Sequence, residues 1–489
     1  MLERTVRYAA VMFGASTLFS LLNFAASVTS MVARSKDTYG DYATYVRIYA
    51  FSQGFLIFGV NQVVQRFSAA DPERRKDFAA AALRGFAVLA VVCWSVGAVI
   101  ASLGRVSVGL GVAAIPSTVV WWWSRYLIRT DLAGGREAFV TGVQSLLITV
   151  LQIVLVTTTT WELALVVADF TAVLIGGLVG LSFIPRVVGA PLGALARRPL
   201  NGPLLREAFA FGRSYWIAGQ LFSLGDNATA GLIRSLLGPA AMGASAAAQQ
   251  FWQFVLKPME FLGQGALPML VSAPDQAARE KAYFDLMKLC LLVLPAVAVA
   301  ATTGLPLLFE LIDVVARQVG HQGQPFTEKY AEVPRLIALM TLQTPAMTFV
   351  MVWNQYAVAV GEPKVSIGVQ LASAGALLVS IAPLIGGFGL TGAYLAGTIA
   401  AFASALVFPA MLGRRYPRET RRGATWMVGA TVATIAALAI AWVWPPHLPS
   451  WLAAAPALAV YAVAAALLGL AGRAEVERVV GLVRRKLGR

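Results

Sequence analysis

The chain is a succession of apolar stretches of about 20 residues, the length that a helix needs to cross the hydrocarbon core of a bilayer. Short segments rich in arginine and lysine separate the stretches at almost every second gap. Cytoplasmic loops of membrane proteins retain basic residues, whereas translocated loops do not. The pattern therefore predicts an all-α integral membrane protein that crosses the bilayer many times.

The apolar stretches predict about fourteen transmembrane helices. They fall at 8–33, 41–65, 78–103, 106–127, 139–159, 162–184, 207–235, 240–270, 284–311, 333–359, 364–386, 390–412, 424–444 and 452–471. About 26 arginines and lysines lie at the termini and in the even-numbered gaps, against about 6 in the odd-numbered gaps. This asymmetry predicts that both termini are cytoplasmic. Three tryptophans at 121–123, near the inner end of their helix, are interpreted as interfacial anchors.

Composition excludes a water-soluble enzyme, because 58% of the residues are hydrophobic and only 13% are charged. The net charge of +15 comes from basic residues beside apolar spans, which favours contact with anionic lipid headgroups over nucleic acid. His321 and His447 fall in outer loops without a nucleophile or a metal ligand beside them, and Cys93 and Cys290 stand alone in spans. The sequence thus predicts no catalytic residue, no metal site and no cofactor.

The chain also contains an internal repeat. Phe-Gly-Ala-Ser at 13–16 returns as Phe-Gly-Arg-Ser at 211–214, and Tyr-Gly-Asp-Tyr at 39–42 corresponds to Met-Gly-Ala-Ser at 242–245. An even number of helices separates the two blocks, so both have the same orientation in the membrane.

The repeat predicts two six-helix lobes related by a pseudo-twofold axis along the membrane normal, with a crevice between them. The N-lobe is assigned to 1–185 and the C-lobe to 207–413, joined by a cytoplasmic linker at 186–206. Residues 414–489 hold helices thirteen and fourteen and a basic tail.

Several motifs carry a family resemblance. Phe-Gly-Arg-Ser at 211–214, Leu-Gly-Asp-Asn at 224–227 and Leu-Gly-Pro-Ala-Ala-Met-Gly at 237–243 resemble the seventh and eighth helices of the polysaccharide-type flippases. Tyr-Gly-Asp-Tyr-Ala at 39–43 is similar to the first repeat of that family, and Gly-Glu-Pro-Lys at 361–364 to its turn after helix ten. These flippases belong to the multidrug/oligosaccharidyl-lipid/polysaccharide exporter superfamily.

The resemblance implies translocation of undecaprenyl-pyrophosphate-linked oligosaccharide from the cytoplasmic to the outer leaflet of the bacterial inner membrane, by alternating access of the two lobes. Exopolysaccharide or O-antigen biosynthesis is the implied pathway. No convincing match to the signatures of lipid II flippases is found in the sequence, although the count of fourteen spans is shared with that branch.

Charged residues inside apolar helices predict the substrate site, because a charge near the bilayer centre costs at least about 2.5–3.5 kcal/mol unless water, a partner or a substrate receives it. Arg47, Arg213 and Lys257 are the basic candidates. A guanidinium group can hold phosphate oxygens through two parallel hydrogen bonds, so Arg47 and Arg213 are the expected pyrophosphate ligands. For Arg213, snorkelling to the nearby cytoplasmic surface stays open as an alternative.

Three acidic residues, Asp169, Asp226 and Glu260, are candidates for ion coupling. Glu260 lies three residues from Lys257 on one helical face, so an ion pair between these two is the simpler interpretation.

Aromatic rings and amides in the same helices could bind the sugar chain. Tyr49, Trp252, Gln253 and Asn354 are predicted substrate-binding residues. Packing of the rings against neighbouring helices is the simpler interpretation of the aromatic stripes. The amides are the stronger signal, because buried amides need hydrogen-bond partners.

The segment from Arg473 to the C-terminus has valines at helical spacing and several basic residues, so it is expected to lie as an amphipathic helix on the anionic cytoplasmic leaflet. The expected partners are therefore the lipid-linked oligosaccharide and membrane lipids. Nothing in the sequence favours or excludes a polysaccharide polymerase or glycosyltransferase as a further partner.

Two alternative functions remain open. A cation-coupled multidrug exporter of the same superfamily would favour an acidic lumen, whereas the intramembrane candidates include three basic residues. A membrane polymerase or ligase of lipid-linked glycans would be expected to carry catalytic residues in a large outer loop, and the longest outer loop, about 312–332, is short.

Overall fold

The computed structural model describes residues 2–57, 72–130, 134–271, 273–318, 323–360, 362, 364–444 and 448–470. Within these residues every regular element is a helix. The first eight are α1 (Leu2–Ala33), α2 (Lys36–Ile57), α3 (Pro72–Ser102), α4 (Val106–Thr130), α5 (Gly134–Thr158), α6 (Ala164–Val188), α7 (Leu192–Arg197) and α8 (Gly202–Val271). The others are α9 (Gln276–Gln318), α10 (Phe326–Lys329), α11 (Val333–Ala359), α12 (Lys364–Leu412), α13 (Pro417–Trp442), a 3-10 turn (Ser450–Ala453) and α14 (Ala454–Leu467).

The all-helical membrane fold expected from the apolar stretches is confirmed. In lipid, each backbone N–H and C=O group needs a partner within the chain, and a helix supplies all of them locally. Among the described helices, eight are long and apolar enough to cross a membrane. The total of fourteen spans stays a prediction, since part of the second predicted helix, at 58–65, lies outside the described residues.

Two of the predicted loops are single breaks within longer helical stretches. Predicted helices seven and eight form α8, whose backbone leaves helical geometry at Gly238 with φ 85° and ψ −177°. Predicted helices eleven and twelve form α12, which is interrupted in the same way at Gly389 with φ 59° and ψ −138°. Positive φ is strained for residues with a side chain, which explains why a glycine stands at each break.

The chain forms two compact units, Met1–Gly243 and Ala244–Arg489, and α8 contributes to both. In the first unit, α4 packs against α2, α3 and α6, while α5 packs against α1 and α6. Small residues bring these helices close: Ser117 and Ser124 of α4 lie against Gly177 and Gly180 of α6. Close backbone approach of this kind is the usual basis of helix association in lipid.

In the second unit, aromatic rings fill the space between α9, α11, α12 and α13. The rings of Trp353 and Phe408 stack at 5.4 Å, and Tyr283 lies 4.8 Å from Tyr356. The last helices, α13 and α14, pack on each other and on α9, so they are part of this unit. The predicted division into lobes at 186–206 stays a prediction.

The predicted linker at 186–206 is held against α3. Arg198 donates hydrogen bonds to Asp77 at 2.6 Å and to Glu73 at 3.0 Å, and Arg84 donates to the carbonyl oxygen of Ala196. The hydrogen bonds to Asp77 and then Glu73 raise the pKa of Arg198 above its ordinary value, so its charge is constant at physiological pH. The segment that connects predicted helices six and seven is therefore bound to α3 within the first unit.

Candidate functional site

Two glycines at equivalent positions of the repeat lie against each other's helices in the first unit. A Cβ atom at Gly40 of α2 would lie 1.9 Å from the carbonyl oxygen of Pro239, and one at Gly243 of α8 would lie 2.3 Å from the carbonyl oxygen of Lys36. Both distances are far inside the ordinary contact of about 3.5–4 Å. The start of α2 and the part of α8 that follows its break therefore meet backbone to backbone. The charge count predicts that this contact lies on the side of the membrane opposite the cytoplasm.

An ion pair joins the same two helices. Asp41, which follows Gly40, accepts a hydrogen bond from the Arg234 guanidinium group of α8. Both side chains are partly exposed, and exposed pairs contribute only about 0–1 kcal/mol. The pair thus contributes little to stability, but it marks a position at which α2 and α8 lie side by side.

The predicted coupling residue Asp169 lies in a buried polar cluster of the first unit. Its side chain is 2% exposed and forms a hydrogen bond with the hydroxyl group of Tyr42. The amide of Gln152 donates to the same hydroxyl group at 2.7 Å. Tyr42 therefore accepts from Gln152 and donates to Asp169, which connects α2, α5 and α6.

The three tryptophans at 121–123 are not simple membrane anchors. Trp121 and Trp123 are buried, and the guanidinium carbon of Arg125 lies 4.5 Å from the Trp121 ring centroid. Arg125 also donates to the carboxylate of Glu137, which is fully buried, at 3.1 Å. The interpretation of the whole run as interfacial anchors was therefore wrong: Trp121 lines a buried ion pair, and Trp123 packs against Phe86.

The second unit also contains buried carboxylates, and each has donors. Asp313 accepts hydrogen bonds from the backbone N–H groups of Phe326 and Thr327, and so holds the start of α10. Glu419, 5% exposed in the first turn of α13, accepts from the hydroxyl group of Tyr356 at 3.0 Å. Each buried acid named so far, in either unit, thus accepts at least one hydrogen bond from the fold.

The basic candidates are placed differently. Arg213 is exposed, and within the described part of the chain it has no carboxylate partner. Arg47 is half-buried on α2 and takes part in an interaction within the structure. The Lys257 side chain lies outside the described residues.

The predicted sugar-binding residues fall into three groups. Gln253 is exposed, whereas the ring of Trp252 beside it is buried. Asn354 is half-buried, and its amide oxygen accepts a hydrogen bond from Ser366 at 2.6 Å. The Tyr49 side chain lies outside the described residues, as do the side chains of the candidate coupling residues Asp226 and Glu260.

The hydrogen bonds described for the predicted residues join Asp169 and Asn354 to residues outside the predicted set. Sequence reasoning missed the Asp41–Arg234 pair and the contact between Gly40 and Gly243. A signal for the glycine contact was present, because the repeat retains glycine at both positions.

Comparison with protein-family models and with curated protein sequences gives no match. Solved structures do match. The inward closed conformation of lipid II flippase MurJ has a TM-score of 0.68 at 11% identity, over 98% of this chain and 100% of that chain.

Multidrug transporters of similar fold also match. The inward-facing conformation of a multidrug resistance MATE family transporter has a TM-score of 0.63 at 14% identity, over 87% of this chain and 99% of that chain. A superfamily transporter from Pyrococcus furiosus has a TM-score of 0.57 at 12% identity, over 87% and 96% of the two chains. The chain is therefore a multi-pass membrane protein with the fold of the multidrug/oligosaccharidyl-lipid/polysaccharide superfamily of flippases and exporters.

Proposed function

We propose that the chain is a flippase that moves undecaprenyl-pyrophosphate-linked oligosaccharide from the cytoplasmic to the outer leaflet of the bacterial inner membrane. Exopolysaccharide or O-antigen biosynthesis is the process it serves. The inner-membrane location and the cytoplasmic termini are part of this proposal and rest on the distribution of basic residues.

The distribution of bonded and exposed charges carries the proposal. The described buried carboxylates Glu137, Asp169, Asp313 and Glu419 each accept at least one hydrogen bond from the fold. By contrast, Arg213 projects an exposed guanidinium group from an apolar helix. An exposed arginine in an apolar helix favours an anionic cargo such as a pyrophosphate, which arginine binds through paired hydrogen bonds.

The extent of the structural likeness also supports a lipid flippase. The lipid II flippase covers 98% of this chain, whereas the MATE structures cover 87 or 88%. The lipid II flippase structure therefore matches more of this chain than the MATE structures do.

The proposed cycle alternates access between the two lobes. The pyrophosphate contacts Arg47, Arg213 and Lys257, while Tyr49, Trp252, Gln253 and Asn354 bind the sugars. Coupling to an ion gradient is assigned to Asp169, Asp226 and Glu260. In the outward-open state the contact between α2 and α8 opens, and it re-forms when the cycle resets.

The test is deletion of the gene in its host, followed by identification of the prenyl-linked saccharide that accumulates on the cytoplasmic side. Complementation with Arg213→Ala should lower export about tenfold or more while membrane insertion is unchanged, because a charge-assisted bidentate contact is lost. Arg197→Ala is the matched control, since Arg197 is an exposed arginine at the end of the short helix α7, in the predicted cytoplasmic linker. Unchanged export in both Arg213→Ala and Arg47→Ala would remove the site assignment.

A cation-coupled multidrug exporter is the second candidate function, favoured by the fold shared with MATE transporters. Under that alternative, the deletion would raise sensitivity to cationic drugs and no prenyl-linked saccharide would accumulate. Arg213→Ala would then leave drug export intact or increase it, since a positive charge repels a cationic drug.

A further inference from the structure

Three basic residues at the predicted cytoplasmic end of the first unit are used inside the fold. Arg75 donates to the carbonyl oxygen of Val187, Arg84 donates to Ala196, and Arg198 pairs with Asp77. The N–H donors of these three guanidinium groups already bond to oxygen atoms of the protein, so few of them can bind a ligand.

At the corresponding end of the second unit, three exposed arginines cluster at the start of one helix. Arg418, Arg421 and Arg422 lie in the first two turns of α13, and all three are exposed. None has a carboxylate partner among the residues that the structure describes. Exposed cations of this kind can receive an external anion at no loss of internal bonds.

Aromatic rings hold this cationic surface next to α9. The Arg422 guanidinium carbon lies 5.4 Å from the Phe284 ring centroid, Phe284 meets Trp426 edge to face at 5.6 Å, and the Lys288 ammonium group lies 5.3 Å from Trp426. Phe284 and Trp426 stand at the start of the apolar parts of α9 and α13, which is the headgroup level of a bilayer. Asp285, next to Phe284 in α9, is an exposed acid, whereas Glu419 in the first turn of α13 is buried and bonded to Tyr356, so the three arginines and Lys288 outnumber these acids.

The basic surface continues directly into an apolar one. Arg421, Thr425, Val428, Val432 and Ile435 follow each other at three or four residues, which places them on one face of α13. The three apolar side chains are 56%, 48% and 48% exposed. Positive charge at the helix start with exposed aliphatic groups beyond it matches a phospholipid, whose anionic headgroup precedes its acyl chains.

We infer that this surface, which we call the α13 basic surface (Arg418, Arg421, Arg422, Phe284, Trp426 and Lys288), is a binding site for an anionic glycerophospholipid of the cytoplasmic leaflet. The phosphate contacts the arginines and Lys288, and the acyl chains lie along the apolar stripe of α13. The site is independent of the cargo and would exist in either candidate function.

The test uses the purified full-length protein and native mass spectrometry with added phosphatidylglycerol or phosphatidylcholine. The protein should bind phosphatidylglycerol more tightly. Arg421→Ala combined with Arg422→Ala should weaken the first binding event about thirtyfold, because each basic side chain near an anionic lipid contributes about a factor of five. Replacement of both residues by lysine should retain most of the affinity.

The matched control removes the same charge from the first unit, with Arg197→Ala and Arg206→Ala, both exposed. Equal weakening in this control would show a general charge effect and overturn the site. Equal affinity for the two lipids would overturn it as well. Displacement of phosphatidylglycerol by millimolar inorganic phosphate would assign the surface to a free anion instead of a lipid.

Discussion

Gly40→Ala tests whether the contact between α2 and α8 belongs to the transport cycle. The added methyl carbon would lie 1.9 Å from the carbonyl oxygen of Pro239, so the backbones must separate by about 1.5 Å to reach ordinary contact. The obstacle is backbone and cannot rotate away. Overpacking of this kind costs about 1–3 kcal/mol, and about 2 kcal/mol changes the ratio of closed to open states about thirtyfold.

The assay is thiol cross-linking in native membranes. Asp41 and Arg234, which form an ion pair in this structure, are both replaced by cysteine in a protein that lacks Cys93 and Cys290. A bifunctional thiol reagent, whose spacer replaces the length of the arginine side chain that a direct disulfide cannot span, should cross-link the parent protein efficiently. Adding Gly40→Ala should reduce the yield about tenfold or more and should lower export in parallel, because the cycle cannot reset.

Gly231→Ala is the matched control. It lies on α8 as well, but an added Cβ atom there meets nothing within 4 Å. Cross-linking and export should therefore stay at the parent level in this control, with a slight gain in helix stability. A Gly40→Ala protein that folds, cross-links and exports like the parent would refute the reasoning.

Two further predictions concern burial. Arg125→Ala leaves the carboxylate of Glu137 buried without its cation, so the protein should lose about 3–5 kcal/mol of unfolding free energy. Arg125→Met combined with Glu137→Leu should recover most of this loss. Thermal unfolding in detergent measures the stability of both variants, and equal stability of the two would contradict the prediction. A cysteine in place of the exposed Gln253 should react with a water-soluble thiol reagent in membranes, whereas a cysteine in place of the buried Ser245 of the same helix should not. Protection from the reagent at both positions would argue against a substrate site that is accessible to water.

Much of the fold could be predicted from the sequence, because lipid allows few backbone solutions. The predicted helix 333–359 coincides with α11, and the predicted gap at 387–389 ends at the break at Gly389. The length of an apolar stretch and the position of a glycine determine directly where these helices begin and end. Neither depends on contacts between residues that are distant in the sequence.

Partners of individual side chains could not be predicted in the same way. Asp41 and Arg234 are 193 residues apart, and their pairing depends on how α2 and α8 pack. The error over Trp121 and Trp123 has a similar origin: sequence position gives depth along a helix but does not tell which face turns inward. The repeated glycine at 40 and 243 was the one local clue to a contact between these helices.

The central claim is that the protein moves a pyrophosphate-linked saccharide across a bilayer. The direct measurement is the rate at which an undecaprenyl-pyrophosphate-linked oligosaccharide changes leaflet in liposomes containing the purified protein, read by an enzyme that acts only on the outer face. The account predicts protein-dependent movement that Arg213→Ala reduces and Arg197→Ala leaves unchanged. Movement at the rate of protein-free liposomes, with transport of a cationic drug by the same preparation, would contradict it.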